Sequence, residues 1–223
     1  MRNITIIVAG GSGTRFAAAL PKQFVLLAGR PVLLHTLEAF AEHSSLICVV
    51  LPEAHRALWR QLCDEYRCAV DHRVVTGGDT RWRSVKNALD TLTVEQGDVI
   101  AVHDGVRPLV PRSLVQRAFD VARECGSAVP VVPVTDSIRQ VESGGESHIV
   151  RRDILRAVQT PQAFDAVALK AAYQQPYQSL YTDDASVYEM AGHRVTLIDG
   201  CRDNIKLTHP ADLLLAQSLM NHE

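Results

Sequence analysis

The sequence predicts an α/β fold, a mostly parallel twisted sheet flanked by helices. Short apolar runs alternate with segments whose apolar residues recur at helical spacing. The runs are continuous rather than alternating, which is the pattern of strands covered on both faces. Three glycine-rich or charged segments follow directly on such runs, where open α/β sheets hold their ligands.

The strands are expected at ITIIVA (4–9), LICVVL (46–51), RVVT (73–76), DVIAV (98–102) and SAVPVVPV (127–134). Helical spacing places helices at 33–43, 53–66, 81–92 and 112–125. The alternation breaks after Pro133. SIRQV (137–141), ESGGES (142–147) and HIVRRD (148–153) read as a β-hairpin with a Gly-Gly turn. Isolated hairpins are marginal in water, so this insertion, about 136–153, is expected to act as a dimerisation arm on a single domain spanning 1–223. TDDASVYEMAG (182–192) is a helix capped by Thr182 or Asp183 and closed by Gly192. RVTLID (194–199) is a further strand, and HPADLLLAQSLM (209–220) is a helix with Pro210 in its first turn.

The chain has 223 residues, 47% hydrophobic and 22% charged, with a net charge of −2. That balance excludes a nucleic-acid surface or a polybasic membrane patch, so an anionic ligand would need locally concentrated cations. The first apolar run is too short for a secretory signal, and no stretch approaches the roughly 18 apolar residues of a membrane span. Five cysteines at spacings unlike a zinc or redox motif read as reduced thiols of a cytoplasmic protein.

Five segments could carry chemistry. GGSGTRFAAALPK (10–22) is not a P-loop, since Gly-Lys-Ser/Thr is missing, nor a dinucleotide loop, since Phe16 stands at the third glycine position. Its glycines let backbone N–H groups approach a phosphate chain, Arg15 offers a planar fork and Lys22 a compact charge. In GGDTRWRSV (77–85), Asp79 or Thr80 caps a helix, with Arg81 and Ser84 near its positive end. In HDGVRP (103–108), Asp104 follows a buried strand and is the candidate Mg²⁺ ligand, while Arg107 either pairs with Asp104 or meets a second anion. Arg151, Arg152 and Arg156 cluster ahead of Thr160. Lys206 lies in a short apolar stretch, DNIKLT (203–208). Together these loops describe a nucleoside triphosphate site with a phosphorylated second substrate beside it.

With AGGSGTR…PKQF, GGDTRWRSV, HDGVRP, QTPQAF, TDDAS and DNIKLT in that order, the chain resembles the sugar-phosphate cytidylyltransferase family, in its methylerythritol-phosphate branch, over essentially its whole length. The resemblance implies a Rossmann-like nucleotidyltransferase fold and transfer of a cytidylyl group from CTP to 2-C-methyl-D-erythritol 4-phosphate. It implies that Ala9, Gly10, Gly11, Ser12 and Gly13 wrap the triphosphate. Arg15, Lys22 and Lys206 act at the phosphates, and Gly78, Asp79, Arg81, Ser84 and Gly105 hold the nucleotide. Asp104 holds Mg²⁺, and Arg107, Ser137, Arg152 and Thr160 contact the acceptor. The implied assembly is a homodimer whose arm reaches the partner's site. Val106 of HDGVRP is shared with the ribitol-5-phosphate cytidylyltransferases, an alternative acceptor class. A non-catalytic nucleotide-binding module is the alternative of another kind, and it would not need cations at the α-phosphate.

Overall fold

The structure is a computed structural model and describes residues 1–11 and 20–221. In chain order the strands and helices begin with β1 (Asn3–Val8), β2 (Leu26–Leu27), β3 (Arg30–Pro31), α1 (Val32–Phe40), β4 (Leu46–Leu51), α2 (Arg56–Glu65), β5 (Arg73–Thr76) and α3 (Arg81–Asp90). There follow β6 (Val99–Asp104), α4 (Arg112–Cys125), β7 (Ser127–Pro133), β8 (Ile138–Val141), β9 (Ser147–Val150) and β10 (Arg156–Val158). The chain then forms β11 (Gln162–Asp165), α5 (Ala166–Ala172), α6 (Asp184–Met190), β12 (Leu197–Asp199) and α7 (Pro210–Met220).

The main sheet is mostly parallel. β1 lies between β4 and β6, β5 extends the sheet beyond β4, and all four strands run the same way. β11 pairs antiparallel with both β6 and β7, β10 is antiparallel to β7, and β12 is parallel to it. The sequence reading does not anticipate β10 or β11. Both are short, and β11 has too few residues to display a period.

Side-chain alternation divides the core in two. Ile47, Val49 and Leu51 face one side of β4 and pack with Leu37 and Phe40 of α1, Trp59 of α2 and Phe119 of α4. Cys48 and Val50 face the other side, with Val85 and Leu89 of α3, Leu169 of α5 and Tyr188 of α6. A period of two projecting into two separate cores is why these strands read as continuous apolar runs. α4 ends at Gly126, whose φ of 84° is the left-handed geometry that favours glycine, and its N–H bonds back to Ala122 O at 2.9 Å. β8 and β9 pair only with each other, from Ile138 opposite Val150 to Val141 opposite Ser147, and the hairpin is largely exposed. Asp183 supplies the α6 cap, in a capping box with Ser186. Among the described residues no helix is long and apolar enough to cross a membrane.

Asp98 sets the start of β6. Its buried carboxylate accepts from Arg2 N–H (2.8 Å), from Arg2 Nη2 (2.5 Å) and from Glu95 N–H (3.0 Å). The Arg2 hydrogen bonds lead the causes that hold its pKa at about 2, below the ordinary 3.8. A depressed carboxylate contributes stability above its unfolded pKa and loses it as the pH falls through the folded value. Because Arg2 is 41% exposed and solvent screens the pair, Asp98→Ala should cost about 1–2 kcal/mol in neutral denaturant titrations, chiefly through the two backbone N–H groups left unpaired. The wild-type advantage should shrink between about pH 4 and pH 2.

Candidate active site

The carboxyl ends of β1, β5 and β6 meet at one cavity of about 370 Å³. Backbone bonds fix their relation. Val8 stands opposite Asp104, Gly105 N–H reaches Val8 O at 2.9 Å, Ala9 N–H reaches Val50 O at 2.9 Å, and Gly77 N–H reaches Leu51 O at 2.8 Å. The cavity is lined by Ala9, Gly10, Gly11, Lys22, Gly78, Asp79, Arg81, Ser84, Asp104 and Lys206 from the sequence reading. Val8, Gln23, Thr80 and Val106 complete the wall. Three of the residues expected here, Ser12, Gly13 and Arg15, lie outside the described residues.

Asp104 is the electrostatic centre. Its Oδ2 lies 3.0 Å from Lys206 Nζ and 3.3 Å from Arg107 Nε, and its Oδ1 lies 3.7 Å from Arg81 Nε. Burial alone would raise its pKa; Arg81, Lys206 and Arg107 more than offset that and hold the carboxyl well below the usual aspartate range. Of the two roles open to Arg107, the structure displays the pairing with Asp104. Its Nη1 also donates to Asn204 O at 2.7 Å.

Each partner is itself braced. Arg81 Nη2 donates to Asp184 Oδ2 at 2.6 Å, and Tyr173 O–H donates to Asp184 Oδ1 at 2.6 Å. Asp184 is fully buried at the start of α6, beside the capping residue Asp183. Gln162 bridges to that turn, donating to Asp183 Oδ2 and accepting from Ala185 N–H, both at 2.8 Å. The sequence reading takes TDDAS as a helix cap and misses this second carboxylate. The available signal is its adjacency, since two carboxylates in a row cannot both cap one helix end.

Behind Asp104, its own N–H donates to Thr160 Oγ1 at 3.1 Å, and Thr160 Oγ1 lies 3.0 Å from His103 Nδ1. His103 Nε2 lies 3.2 Å from the Arg107 carbonyl, which can only accept, so Nε2 carries the proton and the Thr160 hydroxyl donates to Nδ1. The Thr160 hydroxyl is thus engaged inside the protein, supporting Asp104 from behind. Ser84 Oγ accepts from Gly78 N–H at 3.1 Å and donates to Thr80 O at 2.9 Å, tying the glycine turn to α3. Thr80 caps α3 through Arg83 N–H at 3.0 Å. A Cβ on Gly78 would stand 2.0 Å from Arg83 Cγ, and one on Gly105 would stand 2.9 Å from Ala9 Cβ, so both turns pack too closely for a side chain.

Gln23, fully buried beside Lys22, donates to Ala9 O at 2.8 Å and links the lysine-bearing turn to the end of β1. Ser137 and Arg152 are not among the cavity-lining residues. Both are exposed near the base of the hairpin, where Arg152 donates to the Thr135 carbonyl.

Glycine turns and cations gathered around one carboxylate, beyond the carboxyl ends of a parallel sheet, define a protein of the nucleotidyltransferase class. The chain belongs to the 2-C-methyl-D-erythritol 4-phosphate cytidylyltransferase family, whose family model matches residues 3–222. It is 49% identical to the protein of that name from Porphyromonas gingivalis, over 98% of each chain. It is 43% identical to that from Bacteroides thetaiotaomicron, covering 99% of this chain and 100% of the relative. The crystal structure of the 2-C-methyl-D-erythritol 4-phosphate cytidylyltransferase from Thermus thermophilus is similar, with a TM-score of 0.80 and 31% identity over 99% of this chain and 98% of that one.

Burial pulls the His103 pKa down to about 4, so the ring is neutral at physiological pH. An NMR titration should show the His103 imidazole as the Nε2–H tautomer, titrating near 4 rather than 6.5. Because the unfolded chain binds the proton more readily, this group's contribution to stability should fall by about 3 kcal/mol as the pH drops from 6.5 to 4.

Proposed function

We propose that the protein transfers a cytidylyl group from CTP to 2-C-methyl-D-erythritol 4-phosphate, giving 4-diphosphocytidyl-2-C-methyl-D-erythritol and pyrophosphate in isoprenoid biosynthesis. Family membership over residues 3–222 carries the reading, and the cation cluster around Asp104 is what the chemistry needs. The acceptor's phosphate oxygen, already anionic, attacks the α-phosphorus in line, and pyrophosphate leaves. No covalent enzyme intermediate is required, so the protein works by positioning and by stabilising charge on phosphorus.

The glycine turns at residues 9–11 and 77–78 receive the nucleotide. Lys22 and Lys206, both on the cavity wall, stabilise the developing charge. Arg15 is assigned the same role on the family resemblance. A divalent cation fits the donor set in the manner usual for Mg²⁺, with one carboxylate from the protein and the rest from phosphates and water. Asp104 would hold it, and Lys206 would turn from Asp104 toward the phosphates. Bound there, the ion would neutralise charge on the triphosphate.

Ser137 and Arg152 are assigned to the acceptor. Their position outside the cavity is understood if the hairpin delivers them to a second copy of the chain. The proposed working unit is a homodimer, and its proposed compartment is the cytoplasm.

The test is pyrophosphate release from CTP and Mg²⁺ with either methylerythritol phosphate or ribitol 5-phosphate. Release only with the ribitol ester would overturn the acceptor. Lys22→Ala should lower kcat roughly 10²–10³-fold, and near-normal turnover would remove Lys22 from the mechanism. In the same assay Arg152→Ala should raise KM for the acceptor while leaving KM for CTP almost unchanged.

A further inference from the structure

A second chemically distinctive place lies on the other side of Phe24, at the end of α2. The helix closes in a Schellman motif. Arg67 takes the left-handed geometry at φ 51°, Arg67 N–H bonds to Asp64 O at 3.3 Å, and Cys68 N–H bonds back to Cys63 O at 2.8 Å. That motif sets the side chains at the first and last of these positions against one another. Here both are cysteines, and each leads the causes that shift the other's pKa, Cys68 down and Cys63 up. Cys68 Sγ also lies 3.7 Å from Val70 O. Both residues are partly exposed.

Cys63 forms part of the wall of a cavity of about 200 Å³, together with Arg56, Arg60, Trp59 and His72. His72 is held from both sides. Its Nε2 accepts from Trp59 Nε1 at 3.0 Å, and its Nδ1 lies 2.8 Å from Val70 O. The cavity therefore offers a sulfur, fixed aromatic walls and two guanidinium-bearing side chains, of which Arg56 already donates through Nη1 to Glu53 Oε2 at 3.1 Å and to Thr76 Oγ1 at 3.0 Å. None of these groups takes part in the site at Asp104.

We propose that Cys63 and Cys68 form a thiol–disulfide exchange site, and that the cavity beside Cys63 receives an anionic low-molecular-weight disulfide of the glutathione class. The arginines pair with its carboxylates. The Cys68 thiol is held low and the Cys63 thiol high, each chiefly by the other, so the first proton lost leaves its charge on Cys68; Cys63, the sulfur on the cavity wall, passes its proton to Cys68 as it attacks. Cys63 attacks one sulfur of the incoming disulfide and releases the first small thiol. Cys68 then attacks the Cys63 sulfur of the mixed disulfide and releases the second. Two protein S–H bonds are lost and one S–S bond forms, while the incoming disulfide takes up the two electrons and two protons as two thiols. The two residues are already joined by Cys68 N–H to Cys63 O at 2.8 Å, so closure asks little of the backbone.

The test treats the reduced, full-length protein with oxidised glutathione, followed by non-reducing tryptic digestion and mass spectrometry. Trypsin cuts after Arg67, between the two cysteines, so the expected product is peptide 61–67 cross-linked to peptide 68–73 and separated by reductant. This product should form at least about tenfold faster than the mixed disulfide at the exposed Cys125. Cys68→Ser should trap glutathione on Cys63. Arg56→Ala with Arg60→Ala should slow the reaction with oxidised glutathione but not with an uncharged aromatic disulfide. Glutathionylation of Cys125 with Cys63 and Cys68 left reduced would overturn the site. Equal slowing with both disulfides would overturn the role of the arginines.

Discussion

One buried carboxylate with three cations around it organises this protein. Asp104 is only 8% exposed, and an unpaired charge at such a depth would be costly. Arg81, Arg107 and Lys206 supply the compensation, and they come from a helix start, a turn and a distant loop. Each must be held in turn, which explains the surrounding polar core. Asp184 and Tyr173 hold Arg81, the Asn204 carbonyl holds Arg107, and Leu207 N–H to Val106 O at 2.9 Å fastens the loop that carries Lys206. Thr160 and His103 fix the backbone from which the carboxylate projects. The buried polar residues around the site are thus a scaffold for one charge, built in layers outward from it.

The same arrangement suits an anionic ligand. The three cations exceed the charge of Asp104, and Asp184 turns one of them inward. Lys206 is the most exposed of the three, with 44% of its side chain accessible, and so is the one freest to exchange carboxylate for phosphate. Lys22 also lines the cavity, on a turn tied to the end of β1 through Gln23. A phosphate chain in this cavity would meet both lysines and the glycine backbone of two turns.

Much of this was legible in the sequence. The continuous apolar runs at 4–9, 46–51 and 98–102 identified strands because their residues feed two cores, and the post-strand rule pointed to Gly10, Gly78 and Asp104. What escaped has physical causes. β11 is four residues long and enters the sheet between strands already read as a parallel set. Thr160 carries a hydroxyl that suits a ligand or a neighbour equally well, and only the fold shows it behind Asp104. Asp184 was concealed by the better-known capping role of Asp183. Cys63 and Cys68 have no motif spacing, because a helix terminus rather than a metal brings them together.

The place of β11 has a consequence for the order in which the molecule is made. β6 is complete at residue 104, and β1 covers one of its edges as soon as the two meet. Its other edge finds no partner until residues 162–165 have been synthesised. The hairpin at 138–150 emerges during that interval, while an apolar strand still presents an open edge. The same late segment brings Thr160, and the stretch after it brings Asp184. On the ribosome, therefore, Asp104, Arg81 and Arg107 exist long before Lys206, Thr160 and Asp184, and a chain halted in between would carry both an unguarded edge and an incompletely braced charge.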